Sequence, residues 1–126
     1  RYIPSGAAIE QIAKQITAHR IDGLIVAGGR VGYQSAYVLH KARDSFSALD
    51  IPIACMPMTI NNDVPATELS IGSDTALNSI VSDVDKIRQS AVATRRVFVV
   101  EVMGRDCGYL ALMAGLASRK ETSKVP

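Results

Sequence analysis

The chain has 126 residues, 48% of them hydrophobic and 21% charged, which is enough for one modest core of ordinary α/β composition. Its 14 basic and 12 acidic residues leave a net charge of only +2, and four Tyr, two Phe and no Trp supply few rings. That balance excludes a polyanion partner and a nucleic-acid stacking platform, but one or two arginines still suffice for a small phosphate.

No apolar run reaches the ~20 residues that span a bilayer, and the start is not signal-like, so no membrane partner is expected. Cys55 and Cys107 have no CxxC pairing and no histidine at metal spacing. They read as free thiols in a reducing cytoplasm, with no metal site. The first residue is Arg1, not Met, which leads us to expect an internal piece of a longer polypeptide.

In chain order, Ile9, Ile12, Ala13 and Ile16 mark one face of an amphipathic helix, with Ser5 as its N-cap and Glu10–Lys14 as an i,i+4 pair. The apolar run 23–27, closed by Gly28-Gly29, reads as a strand buried on both faces. A second helix is expected from 32 to about 48, with Ala36, Leu39 and Ala42 inward and Lys41, Arg43 and Asp44 outward. Residues 51–56 read as a second strand, since Pro52 suits a first position, and 57–68 as a loop.

A long helix follows over 73–93, with Ala76, Leu77, Ile80, Val81, Val84 and Ile87 in one stripe. Asp74 near its start and Arg88 near its end agree with the helix dipole. Residues 96–102 read as a third strand, 108–117 as a last helix and 119–126 as a polar, frayed tail. Alternation of this kind gives an α/β fold, a three-layer α-β-α sandwich around a parallel, Rossmann-like sheet. A fragment with three strands leaves a sheet edge uncovered and points to dependence on a partner.

Ligands of open parallel sheets bind at the carboxyl ends of the strands. The three segments leaving those ends are Gly28-Gly29-Arg30-Val31-Gly32, the 57–63 loop, and Met103-Gly104-Arg105-Asp106-Cys107-Gly108. Gly28-Gly29 also suits a plain strand end and matches neither dinucleotide nor P-loop fingerprints. Asn61-Asn62-Asp63 also suits simple turn chemistry. Arg105, between Gly104 and Gly108, can offer a guanidinium fork beside backbone N–H groups, as a phosphate requires, although a solvated arginine would look the same. Arg96 precedes the third strand and therefore sits at the sheet's amino edge, away from these loops.

Four segments together resemble successive signatures of the ATP-type 6-phosphofructokinases. They are Gly-Gly-x-x-x-Tyr (28–33), Pro-x-Thr-Ile-Asn-Asn-Asp (57–63), Ser-Ile-Gly-Ser-Asp-Thr-Ala-Leu-Asn (70–78) and Val-Glu-Val-Met-Gly-Arg-x-Cys-Gly-Tyr-Leu-Ala-Leu (100–112). The resemblance covers residues 1–118 and implies a fragment of the larger α/β domain of that fold. It also implies transfer of the ATP γ-phosphoryl group to fructose 6-phosphate, with Mg²⁺ and ATP serving the full enzyme.

By the same resemblance, Met103, Gly104 and Arg105 match the loop that holds the sugar phosphate, with Thr59 and Asn62 at the substrate edge. Arg96 matches an arginine that reaches a neighbouring subunit's site. Asp63 matches the second aspartate of the catalytic loop. Active members carry Asp where Asn61 stands, and loss of that base lowers general-base catalysis by ~10²–10⁴-fold. They also carry a metal-binding Asp where Arg30 stands and a glycine where Val31 stands, so this segment is expected not to bind Mg²⁺ or ATP.

Those departures resemble the regulatory, carboxyl-terminal half of the long duplicated enzymes. The implied partners are fructose 6-phosphate or a fructose bisphosphate and a catalytic half or neighbouring subunit, in a cytoplasmic homo-oligomer. The alternative is an active kinase domain that uses Asp63 or water as its base.

Overall fold

A computed structural model describes residues 2–122. The chain divides into two compact units, Arg1–Met58 and Thr59–Pro126.

In the first unit, α1 (Ala7–His19) leads to β1 (Leu24–Gly28), and α2 (Arg30–Lys41) leads through two single 3₁₀ turns (Ala42–Asp44 and Ser47–Leu49) to β2 (Ile53–Pro57). β1 and β2 pair in parallel, with Leu24 opposite Ile53 and Gly28 opposite Pro57. The helical period places Ala13 and Ile16 of α1 against Leu39 of α2 and Leu49, and this cluster is the core. Leu24, Ile53, Phe46 and Ile51 pack around it.

Three expectations are corrected here. The second helix ends at Lys41, and residues to Leu49 form 3₁₀ turns that carry Leu49 into the core. Ser5 makes no side-chain cap; Gly6 (φ 49°) is the N-cap, and the Ser5 carbonyl accepts the Ala8 N–H at 3.1 Å. Among the described residues, β1 is covered on one face only. Ile25, whose side chain alternates to the other face, is 77% exposed, because the described helices of this unit pack on the Leu24 and Ile53 side.

The Glu10–Lys14 pair forms at 2.7 Å. Hydrogen bonding and then the charge of Lys14 hold the Glu10 carboxyl below its usual 4.5. Any stability this gives is complete above that value and is lost as pH falls through the lowered one. Both partners are exposed, so the contribution is small.

In the second unit the 59–70 loop leads to α3 (Ser73–Thr94), and α4 (Tyr109–Thr122) packs against it. Leu110 and Ala114 of α4 are buried, and the α3 stripe Ala76, Leu77, Ile80, Val81, Val84 and Ile87 is half-buried. Asp74 does occupy the first turn of α3. Arg88 lies before the last turn and donates instead to the Ser118 carbonyl of α4, at 3.1 Å. α4 continues through Thr122, past the expected end at Ala117; residues 123–126 lie outside the described ones.

The expected third strand does not form a ladder among the described residues. Exposure along it nevertheless alternates, at 95% for Val97, 47% for Phe98, 97% for Val99 and 45% for Val100. That is the period of an extended chain, with Phe98 and Val100 on its less exposed side. The β-branched composition supports a strand, but a strand is completed only by a neighbour's backbone groups.

Two helices end alike. Arg20 (φ 51°) and Arg95 (φ 52°) adopt the left-handed conformation, and each helix closes with a double backbone bond. In α3 the Arg96 N–H reaches the Ala91 carbonyl at 3.0 Å; in α1 the Ile21 N–H reaches that of Ile16 at 3.0 Å. A Cβ is strained there, whereas glycine is free. Loss of an arginine from the negative end of each helix offsets part of the gain. Arg20→Gly and Arg95→Gly are each expected to stabilise the protein by about 0.5–1 kcal/mol. The effect is read as a higher denaturant midpoint, and an unchanged midpoint would contradict the strain argument.

Candidate functional site

The junction after β1 is built from backbone. Gly28 closes the strand and its carbonyl accepts the Met58 N–H at 3.1 Å. Gly29, in extended conformation, precedes α2, and Arg30 is the first helical residue, with no acidic side chain in that turn. A guanidinium at the positive end of a helix opposes the dipole. Magnesium nucleotides are held through a carboxylate together with the phosphates. Gly28, Gly29, Arg30, Val31 and Gly32 offer a cation and a half-buried β-branched side chain, and no carboxylate. The junction therefore does not fit a bound Mg²⁺ ion.

In the second unit, the Thr59 hydroxyl accepts the Asn61 N–H at 3.2 Å, which folds the chain into a turn. Asn61 Oδ1 is buried and has no partner. Asn62 is left-handed (φ 52°); its Oδ1 accepts the Ser70 N–H at 2.8 Å and its Nδ2 donates to the Glu68 carbonyl at 3.1 Å. Asp63 follows, half-buried. Ser70 is itself buried, and its carbonyl takes the Ser73 hydroxyl at 2.7 Å, so the loop is tied to the first turn of α3.

The Gly104 segment is a tight turn, closed by the Cys107 N–H on the Gly104 carbonyl at 3.3 Å. Gly104 has φ +129°, and a Cβ added to it would collide with the Cys107 carbonyl oxygen. No other residue fits. The turn lifts Arg105 and Asp106 into solvent, with Met103 exposed before it. Cys107 Sγ approaches the Asn62 carbonyl at 3.9 Å, so the Asn61-Asn62-Asp63 turn and the Arg105 turn lie side by side. Thr59, Asn61, Asn62, Asp63, Met103, Gly104 and Arg105 thus belong to one region of one unit. The glycine junction belongs to the other unit, and Arg96 closes α3 through its backbone with an exposed side chain.

Sequence reasoning missed the tie made by Asn62 and Ser70, and the thiol between the two turns. An asparagine is among the few residues that accept a left-handed backbone while its amide bonds nearby groups, and this was the available signal.

A family model described as phosphofructokinase matches residues 1–126. The ATP-dependent 6-phosphofructokinase of Haemonchus contortus is 42% identical over 126 residues, covering 99% of this chain and 16% of the relative. The muscle-type enzyme of Mus musculus is 46% identical over 118 residues, covering 93% and 15%. The phosphofructokinase structure from Saccharomyces cerevisiae superposes with a TM-score of 0.88 at 43% identity, over 93% of this chain and 16% of that one. The T-state structure from Pichia pastoris gives 0.87 at 42%, over 94% and 12%. The chain spans only 16% of the first of these relatives. With a parallel sheet, flanking helices and a match along its whole length, it belongs to the phosphofructokinase family.

Proposed function

We propose that this chain is the sugar-phosphate-binding part of an ATP-dependent 6-phosphofructokinase, within a regulatory half of a duplicated polypeptide. Residues 1–118 form a fragment of the larger α/β domain. The full enzyme transfers the ATP γ-phosphoryl group to fructose 6-phosphate, a step of glycolysis in the cytoplasm. Arg105 and the backbone of its turn hold the phosphate of fructose 6-phosphate or a fructose bisphosphate, with Met103, Thr59 and Asp63 beside the sugar. The exposed Arg96 serves a neighbouring subunit's site in a homo-oligomer.

The observation that carries this reading is the Gly104 turn. Its geometry admits only glycine and sets an arginine at the tip, next to the Asn61-Asn62-Asp63 turn. A guanidinium with flanking N–H groups is the donor set a phosphate needs. The degenerate half follows from two groups. Asn61 is an amide and cannot take the hydroxyl proton at neutral pH. Arg30 puts a cation where the nucleotide's metal would need a carboxylate.

Calorimetry on the full-length protein with this half intact, using fructose 6-phosphate, fructose 1,6-bisphosphate, fructose 2,6-bisphosphate and ATP, tests the assignment. A copy disabled in its other half isolates the contribution of this one. A sugar phosphate should bind more tightly than ATP; the reverse order would sink the site. In that background Asn61→Asp alone is expected to give no kinase turnover, since Arg30 remains. Turnover there would overturn the block assigned to Arg30, whereas turnover with Asn61 in place, abolished by Asp63→Asn, would favour an active domain with Asp63 as its base.

A further inference from the structure

We propose that Asn62 is a positioning residue: it holds the Asn61-Asn62-Asp63 turn beside the phosphate-binding turn and does not itself touch the ligand. The inference rests on the sugar-phosphate reading of this region and adds a division of labour within it.

Three contacts converge on this residue. Its side-chain oxygen accepts the Ser70 N–H at 2.8 Å and its side-chain nitrogen donates to the Glu68 carbonyl at 3.1 Å. Both ends of the amide are therefore engaged with backbone, and they clamp a loop whose far end is the buried Ser70. Its own carbonyl is the group that Cys107 Sγ approaches, at 3.9 Å, so the same residue touches the neighbouring turn. Its backbone is left-handed, which turns the chain sharply between Asn61 and Asp63. Asparagine tolerates this better than other non-glycine residues.

A ligand would have to compete with these backbone groups for the amide. Without the clamp, the 59–70 loop loses its tie to Ser70, and Asn61 and Asp63 lose their fixed place next to Arg105. The short hydrogen bond to Ser70 is the stronger of the two ties, since the Ser70 N–H is on a buried residue and has no water to fall back on.

Two substitutions separate positioning from contact. Asn62→Gly keeps the backbone conformation free of strain and removes both side-chain bonds. Asn62→Asp retains an acceptor for the Ser70 N–H and loses the donor to Glu68, whose carbonyl then faces a carboxylate oxygen on the solvent-exposed side. Calorimetry with fructose 6-phosphate on the full-length protein disabled in its other half, with melting temperatures alongside, should show roughly tenfold weaker binding in Asn62→Gly. Asn62→Asp should fall between that variant and the wild type.

Direct contact with the phosphate predicts the opposite order, because a carboxylate beside a phosphate repels it; Asn62→Asp weaker than Asn62→Gly overturns the proposal. A merely stabilising role would lower the melting temperature and leave the affinity of the folded protein unchanged, and that result overturns it as well. If Asn62→Gly fails to fold, Asn62→Asp against wild type carries the comparison, and a loss beyond about tenfold in it counts as contact. If the protein disabled in its other half and otherwise wild type binds no sugar phosphate, the underlying reading is overturned, and this one with it. Wild-type binding matched by both variants overturns the positioning role alone.

Discussion

Gly104→Ala is expected to remove detectable sugar-phosphate binding while leaving the helices in place. The new methyl group would meet the carbonyl oxygen of Cys107, a backbone atom that cannot rotate aside as a side chain would. A φ of +129° is in addition closed to alanine, at a penalty of order 1–3 kcal/mol. The turn must therefore open, breaking the Cys107 N–H bond to Gly104 and moving Arg105 off its tip. A bidentate arginine–phosphate contact depends on the fork's position as well as its charge, so a shift of about 1 Å is enough to lose one to two orders of magnitude in affinity. The movement also draws Cys107 away from Asn62. Titration calorimetry with fructose 6-phosphate on the full-length protein disabled in its other half, with far-ultraviolet circular dichroism as the folding control, checks the expectation. Binding within twofold of wild type would show that the turn is not the phosphate site.

The second large effect lies in the other unit. Leu49→Ala should destabilise the protein by about 2–5 kcal/mol, since a buried leucine loses both its transfer energy and the fill of its cavity. Leu49 is 1% exposed, and it closes the cluster of Ala13, Ile16 and Leu39 from a 3₁₀ turn that can relax little into the void. Few side chains in this unit are so completely buried, so the loss is a large share of the ~5–15 kcal/mol that holds a domain together. Tyr37→Ala, at an exposed position of α2, is the control and should shift the melting temperature little. Equal shifts in the two variants would mean that the cluster does not hold the unit together.

Much of this was legible in the residues because the signals were periodic. The i, i+3, i+4 spacing of Ile9, Ile12, Ala13 and Ile16 located α1, and the apolar runs located β1 and β2 to within a residue or two. Gly104 and Arg105 stood out because glycines flank a single cation. What escaped was not periodic. Residues 42–49 contain no proline or glycine to mark the end of α2, yet the chain changes to 3₁₀ turns because Leu49 is needed in the core. The outward side of Ile25 could not be foreseen from an apolar run, which looks the same whether one face or two is covered. The role of Asn62 depends on Glu68 and Ser70, six and eight positions away, and turn propensity is blind to partners at that distance.

The alternating exposure of Val97, Phe98, Val99 and Val100 has a consequence for how the protein reaches its native state. A helix such as α3 can form from its own residues within about a microsecond. An extended segment without a ladder partner among its neighbours in sequence waits for a distant strand, and the loop closed in doing so makes that contact slow to form. Residues 97–100 are then among the last of this chain to become protected from amide exchange. Until the partner arrives they are a bare apolar edge, the kind of surface on which newly made chains stick to one another.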